Sequence, residues 1–172
     1  MLLIFTIFYL VYPFQIIKNQ NYTSNFFADV ISYSLGNSLE ELLFRCFLLL
    51  AIVKQIGKIY GTLIVSLLFG VFHLQGLGLT PAGLSMVVTT FTMSLLLVSI
   101  IYFTNSIWPA IAFHITINLL LHTFLGFDNK NNGILHLEFI SSDGIQNFAT
   151  LVYEVVVCAF AILIYLRAGK KK

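Results

Sequence analysis

Apolar residues fill this chain in long unbroken blocks that do not alternate with period two. Six blocks stand out, over residues 1–17, 27–53, 60–74, 84–103, 108–125 and 148–166. The stretches between them are polar or turn-forming: "KNQNYTSN", "KQIGK", the Gly- and Pro-rich "QGLGLTPAG", "TNSIWP" with Pro109 near a helix start, and "GFDNKNNG". A helix that spans a hydrocarbon core takes about 20 apolar residues. The pattern therefore predicts an all-α fold, a polytopic transmembrane helical bundle of about six helices forming a single membrane domain over residues 1–172. Unbroken apolar runs argue against a β-barrel, whose strands alternate. The block at 60–74 is short and suits a buried or tilted helix as well as a lipid-facing one.

Composition sharpens that picture. Of 172 residues, 59% are hydrophobic and only 9% charged, where a soluble domain carries about 25% charge. An integral membrane protein with the lipid bilayer as its surroundings follows. The net charge of +2 gives no reason to expect nucleic acid as a partner. Cys46 and Cys158 both fall in apolar blocks and suggest no disulfide framework. The opening "MLLIFTIFYLVY" lacks the basic region and cleavage site of a secretory signal and is read as a retained first helix. If the helices alternate, Lys54, Lys58, Arg167, Lys170, Lys171 and Lys172 share one side, against Lys18 and Lys130 on the other. The positive-inside rule then puts both termini in the cytoplasm, with the cell (plasma) membrane as the expected location.

Charge in the middle of an apolar block is the informative anomaly. In "NSLEELLFR", Glu40 falls near the middle of the second block, where a charged side chain costs at least about 2.5–3.5 kcal/mol and normally faces the bundle interior. Glu41 and Arg45, at i and i+4, share a helix face and can pair, whereas Glu40 points about 100° away. A packing role accounts for Glu41 with Arg45 as readily as a functional one. Glu40, however, must find another partner, take up a proton or face water. Two further polar sites lie in other blocks: His73, which shares a helix face with Phe69 at i, i+4 in "FGVFH", and His114 with Asn118 at i, i+4 in "HITIN". Counted along ideal helices, these reach depths that overlap that of Glu40, which favours one convergent site. His122 and His136 are read as bystanders, Glu154 as an interhelical hydrogen-bonder, and Asp29 as a helix-opening residue at the positive dipole end.

"EELLFR" (Glu40 to Arg45), "FGVFH" (Phe69 to His73) and "NSIWPAIAFHITIN" (Asn105 to Asn118) resemble, in order and spacing, the EExxxR, FxxxH and HxxxN motifs of the CPBP intramembrane proteases. That family is also called Abi and includes the type II CAAX prenyl endopeptidases. The resemblance covers about residues 30–125. It implies a glutamate-dependent endopeptidase with four catalytic residues: Glu40 as the base that deprotonates water, His73 orienting that water, and His114 with Asn118 stabilising the oxyanion. Glu41 and Arg45 would hold the geometry. The implied partner is a peptide or protein substrate, prenylated in some family uses; bacteriocin immunity is another association. No cofactor is required by this reading. A zinc ion is the one left open, with Glu40, His73 and His114 as its ligands. Two alternatives stand beside the protease: a non-enzymatic membrane immunity or scaffold protein, and a small proton-coupled transporter, since a membrane-embedded Glu near histidines also suits proton movement.

Overall fold

The computed structural model describes residues 2–11, 13–20, 22, 26–74, 77–126, 133–139 and 145–169. Lys130 and Lys170 to Lys172, which entered the topology argument, lie outside the described residues. Among those described, the chain is mostly helical, with six helical runs and one short ribbon. Two helices, Pro81–Thr104 and Phe148–Gly169, are long and apolar enough to cross a membrane, and Lys58–Phe72 is a shorter apolar helix.

The chain divides into two compact units, Met1–Leu39 with Ala112–Ala149, and Glu40–Ile111 with Thr150–Lys172. In the first, α1 (Leu2–Val11) ends well short of the predicted residue 17. Phe14–Lys18 forms instead a strand, β1, paired antiparallel with β2 (Leu135–Phe139) from Phe14 against Phe139 to Lys18 against Leu135. This ribbon corrects the expectation of a purely helical chain, and His136 sits within it and not in an irregular loop. Pro13 explains the break, because proline has no N–H to donate to a helix and its ring clashes with the preceding turn. Asn19 extends the ribbon by donating from its backbone N–H to Ile134 O at 2.9 Å and from Nδ2 to Gly133 O at 2.8 Å. The helix α2 (Phe26–Glu41) begins in this unit, with Asp29 in its first turn accepting from Thr123 Oγ1 at 3.1 Å.

In the second unit the helical run passes Glu41 into a π-helical segment, Leu42–Leu49, and returns to α-geometry in α3 (Leu50–Ile56). The segment reads LLFRCFLL, without glycine, proline or β-branched residues, so local propensity does not explain it. Gly57, at φ 85, ends α3 in a conformation that side-chain-bearing residues rarely adopt. After it comes α4 (Lys58–Phe72), which packs closely on α5 (Pro81–Thr104): a Cβ on Gly70 would stand 2.7 Å from Val87 O. The start of α5 precedes the predicted residue 84 because Thr80 caps it, accepting from Gly83 N at 3.1 Å, with Pro81 in the first helical position. Phe44, Leu49, Val65, Phe69 and Val98 form the buried core of this unit. Leu43, Phe47, Leu50, Leu63 and Leu67 stand exposed on the same helices, so apolar surface faces outward while charged and hydroxyl groups lie inside.

The remaining helices are α6 (Trp108–Asn118), continued by a second π-helical segment, Leu119–Phe124, and α7 (Ile145–Gly169). Pro109 occupies the second position of α6, as a proline near a helix start should. Both π-helical segments follow directly on a motif residue, one after Glu41 and the other after Asn118. Such segments are rare and concentrate at functional sites.

Candidate active site

Glu40 and Glu41 are neighbours in sequence but live in different surroundings. Glu41 is fully buried, and its Oε2 lies 3.3 Å from Arg45 Nε, with both side chains sealed from solvent. The contact is one of charge, its angle being unsuited to a hydrogen bond. One arm of the guanidinium is hydrogen-bonded as well. Arg45 Nη2 donates to Ser94 Oγ at 3.2 Å, and Ser94 Oγ donates to Ser66 Oγ at 3.0 Å, a relay from α5 to α4. Arg45 Cζ also lies over the Phe69 ring, 4.2 Å from the ring centroid. Desolvating two charges costs several kcal/mol for each ion, which only close pairing and added donors and acceptors offset.

Phe69 links this sealed cluster to His73. Its carbonyl oxygen lies 2.8 Å from His73 Nδ1, and the two rings stand 4.5 Å apart between centroids. A carbonyl only accepts, so Nδ1 carries a proton and donates it to Phe69 O; in the neutral imidazole this leaves the Nε2 lone pair open. Nε2 faces Glu40 Oε2 at 3.8 Å. Both side chains are about one-quarter exposed, 25% for His73 and 27% for Glu40. At that separation the two atoms are too far apart for a direct hydrogen bond, but one water beside them can bond to both. Phe44 and Phe72 complete the apolar wall, Phe44 edge-on to Phe69 at 5.0 Å and Phe72 edge-on to His73 at 5.7 Å.

The second unit thus brings together Glu40, His73, Glu41 and Arg45. His114 and Asn118 belong to the first unit, where His114 is buried and Asn118 is half-buried. There Asn118 Nδ2 donates to Asn37 Oδ1 at 3.2 Å. His122 stacks on Tyr33 with ring centroids 5.8 Å apart. Glu154 on α7 accepts from Thr89 on α5 at 3.4 Å, the interhelical bond expected of it.

Several contributors escaped the sequence reading. Asn37 lies within "NSLEELLFR", and Ser66 and Ser94 are hydroxyls inside otherwise apolar stretches. The only signal for any of them was a polar residue where apolar ones prevail. A zinc site requires three protein ligands around a common point. Among the described residues no group of three or more His, Cys, Asp or Glu is placed to hold a metal ion.

Comparison with known proteins is consistent with the motifs. Neither the curated proteins nor the solved structures include a match to the chain. The family model described as type II CAAX prenyl endopeptidase Rce1-like matches residues 20–120, which takes in all three motifs and every residue of the Glu40 and His73 arrangement. On that match, over more than half its length, the chain belongs to the Rce1-like family of type II CAAX prenyl endopeptidases, whose members are integral membrane proteins.

Proposed function

We propose that this protein is an intramembrane endopeptidase that hydrolyses a peptide bond with a water activated by Glu40. The observation that carries the reading is the division of labour between adjacent carboxylates. Glu41 is neutralised against Arg45, while Glu40 faces the open nitrogen of His73 at 3.8 Å and stays partly accessible. A water between them gives one hydrogen to Glu40 and bonds with the other to His73 Nε2, so its lone pair is aimed at the substrate. Glu40 takes the first proton as the oxygen attacks the carbonyl carbon, and returns it to the amine when the tetrahedral intermediate collapses. A positioned base of this kind contributes about 10²–10⁴-fold. His114 and Asn118, the third motif, are assigned the developing oxyanion, where one donor is worth about 10²–10³-fold. Asn118 suits that task because its amide N–H₂ donates and does not titrate. The chain sits in the cell membrane with both termini cytoplasmic, as the basic residues at its helix ends favour. Its substrate is a peptide or protein segment, for which a prenylated CAAX terminus is the first candidate.

The test is cleavage by protein reconstituted in liposomes, using an internally quenched farnesylated CAAX peptide, its unprenylated counterpart and a membrane proteome read by terminal-peptide mass spectrometry. The reading requires new termini with the wild type and none with Glu40→Gln. Proton flux across the liposomes that depends on Glu40, without any cleavage, would make the protein a relay instead.

A further inference from the structure

We infer that Asn37 is a positioning residue for the reaction: its Oδ1 fixes the orientation of the Asn118 amide, and its own Nδ2 is held for a carbonyl oxygen of the bound peptide. This rests on the endopeptidase reading. Asn37 and Asn118 are 81 residues apart in the chain, and the two meet at 3.2 Å, with Nδ2 of Asn118 donating to Oδ1 of Asn37. A primary amide can present either end by rotating half a turn, and for an oxyanion the difference is a donor against an acceptor. An oxygen acceptor at a fixed place removes that freedom. The Asn37 oxygen engages only the N–H₂ end of Asn118, and the second hydrogen on the same nitrogen is left to donate elsewhere.

The other half of Asn37 gives the independent observation. The residue is only 5% exposed, and its Nδ2 has no hydrogen-bond partner among the described residues. Amides that merely pack are almost always fully paired, and a buried donor without an acceptor costs about 1–3 kcal/mol. A peptide carbonyl arriving with the substrate supplies the missing acceptor and recovers that cost. Asn37 stands three residues ahead of Glu40 in the sequence, outside the EExxxR motif, so neither the motif nor the resemblance assigns it a role.

A double-mutant cycle on the farnesylated peptide assay tests this, with detergent melting temperatures measured in parallel. Asn37→Ala is expected to lower kcat by about tenfold to hundredfold through the misoriented Asn118 amide, and to raise KM in either background through the lost contact of its own Nδ2 with the peptide. In an Asn118→Ala background the same change is expected to cost less than about threefold in kcat, because residues that act through one another are not additive. An equal loss of kcat in both backgrounds, or wild-type kcat for Asn37→Ala, overturns the inference while leaving the hydrolase intact. Absence of cleavage by wild type, or full activity in Glu40→Gln, overturns the endopeptidase reading and this inference with it. Asn37→Ser, which keeps a small polar group at the buried position, serves in the cycle should Asn37→Ala fail to accumulate.

Discussion

Glu41 with Arg45 and Glu40 with His73 form two side-chain pairs in one unit of the molecule, and they are built on opposite plans. The first is closed: both side chains are sealed, a hydroxyl relay through Ser94 and Ser66 holds one arm of the guanidinium, and Arg45 Cζ sits over the Phe69 ring. The second is open by about a quarter on each side, and its two reacting atoms stand just beyond direct hydrogen-bond reach. A sealed pair has no room for water and suits the task of holding helices in register. A pair that is loosely spaced and partly accessible suits the handling of a small molecule between its members. Phe69 serves both, with its ring against Arg45 and its carbonyl on His73, so the closed cluster sets the imidazole's orientation in the open one.

Mutations separate the two plans. The largest effect belongs to the open pair. Glu40→Gln should reduce cleavage by about 10²–10⁴-fold and leave the melting temperature in detergent close to wild type; a large drop in melting instead would make Glu40 another packing charge. Arg45→Met should do the reverse in kind, costing about 3–5 kcal/mol of stability through the stranded Glu41. Replacing both as Glu41→Leu with Arg45→Met should restore most of it, as read by chemical denaturation in micelles. If the double variant is as unstable as the single, the closed pair is not the unit described. His73→Ala should lower kcat by about 10²-fold through a mispositioned water, with little loss of stability. Ser94→Ala, which strips the relay from Arg45, should cost about 1–3 kcal/mol in the same denaturation assay and leave kcat almost unchanged. The smallest expected change is Thr89→Val, at about 0.6 kcal/mol for one interhelical bond to Glu154.

Much of the architecture was readable from residue order. The apolar blocks located the helices because burial or lipid contact demands side chains of that kind over whole helical lengths, and Thr80-Pro81 and Gly57 mark boundaries by their backbone preferences. The charged residues betrayed themselves by cost: Glu40, Glu41 and Arg45 are conspicuous in an apolar run, and the i, i+4 spacing alone paired Glu41 with Arg45. Other features depend on partners far away in the chain. The strand at Phe14–Lys18 exists by pairing with Leu135–Phe139, more than a hundred residues on, and its own sequence reads equally well as helix. The π-helical turns after Glu41 and Asn118 have no local signature, since neither segment contains a glycine or a proline. Ser94, Ser66 and Asn37 acquired meaning only when folding set them against Arg45 and Asn118. Hydrophobicity and local spacing are properties of neighbouring residues and survive in the sequence. A hydrogen bond between distant side chains is decided by which helices pack together, and that is a property of the folded chain.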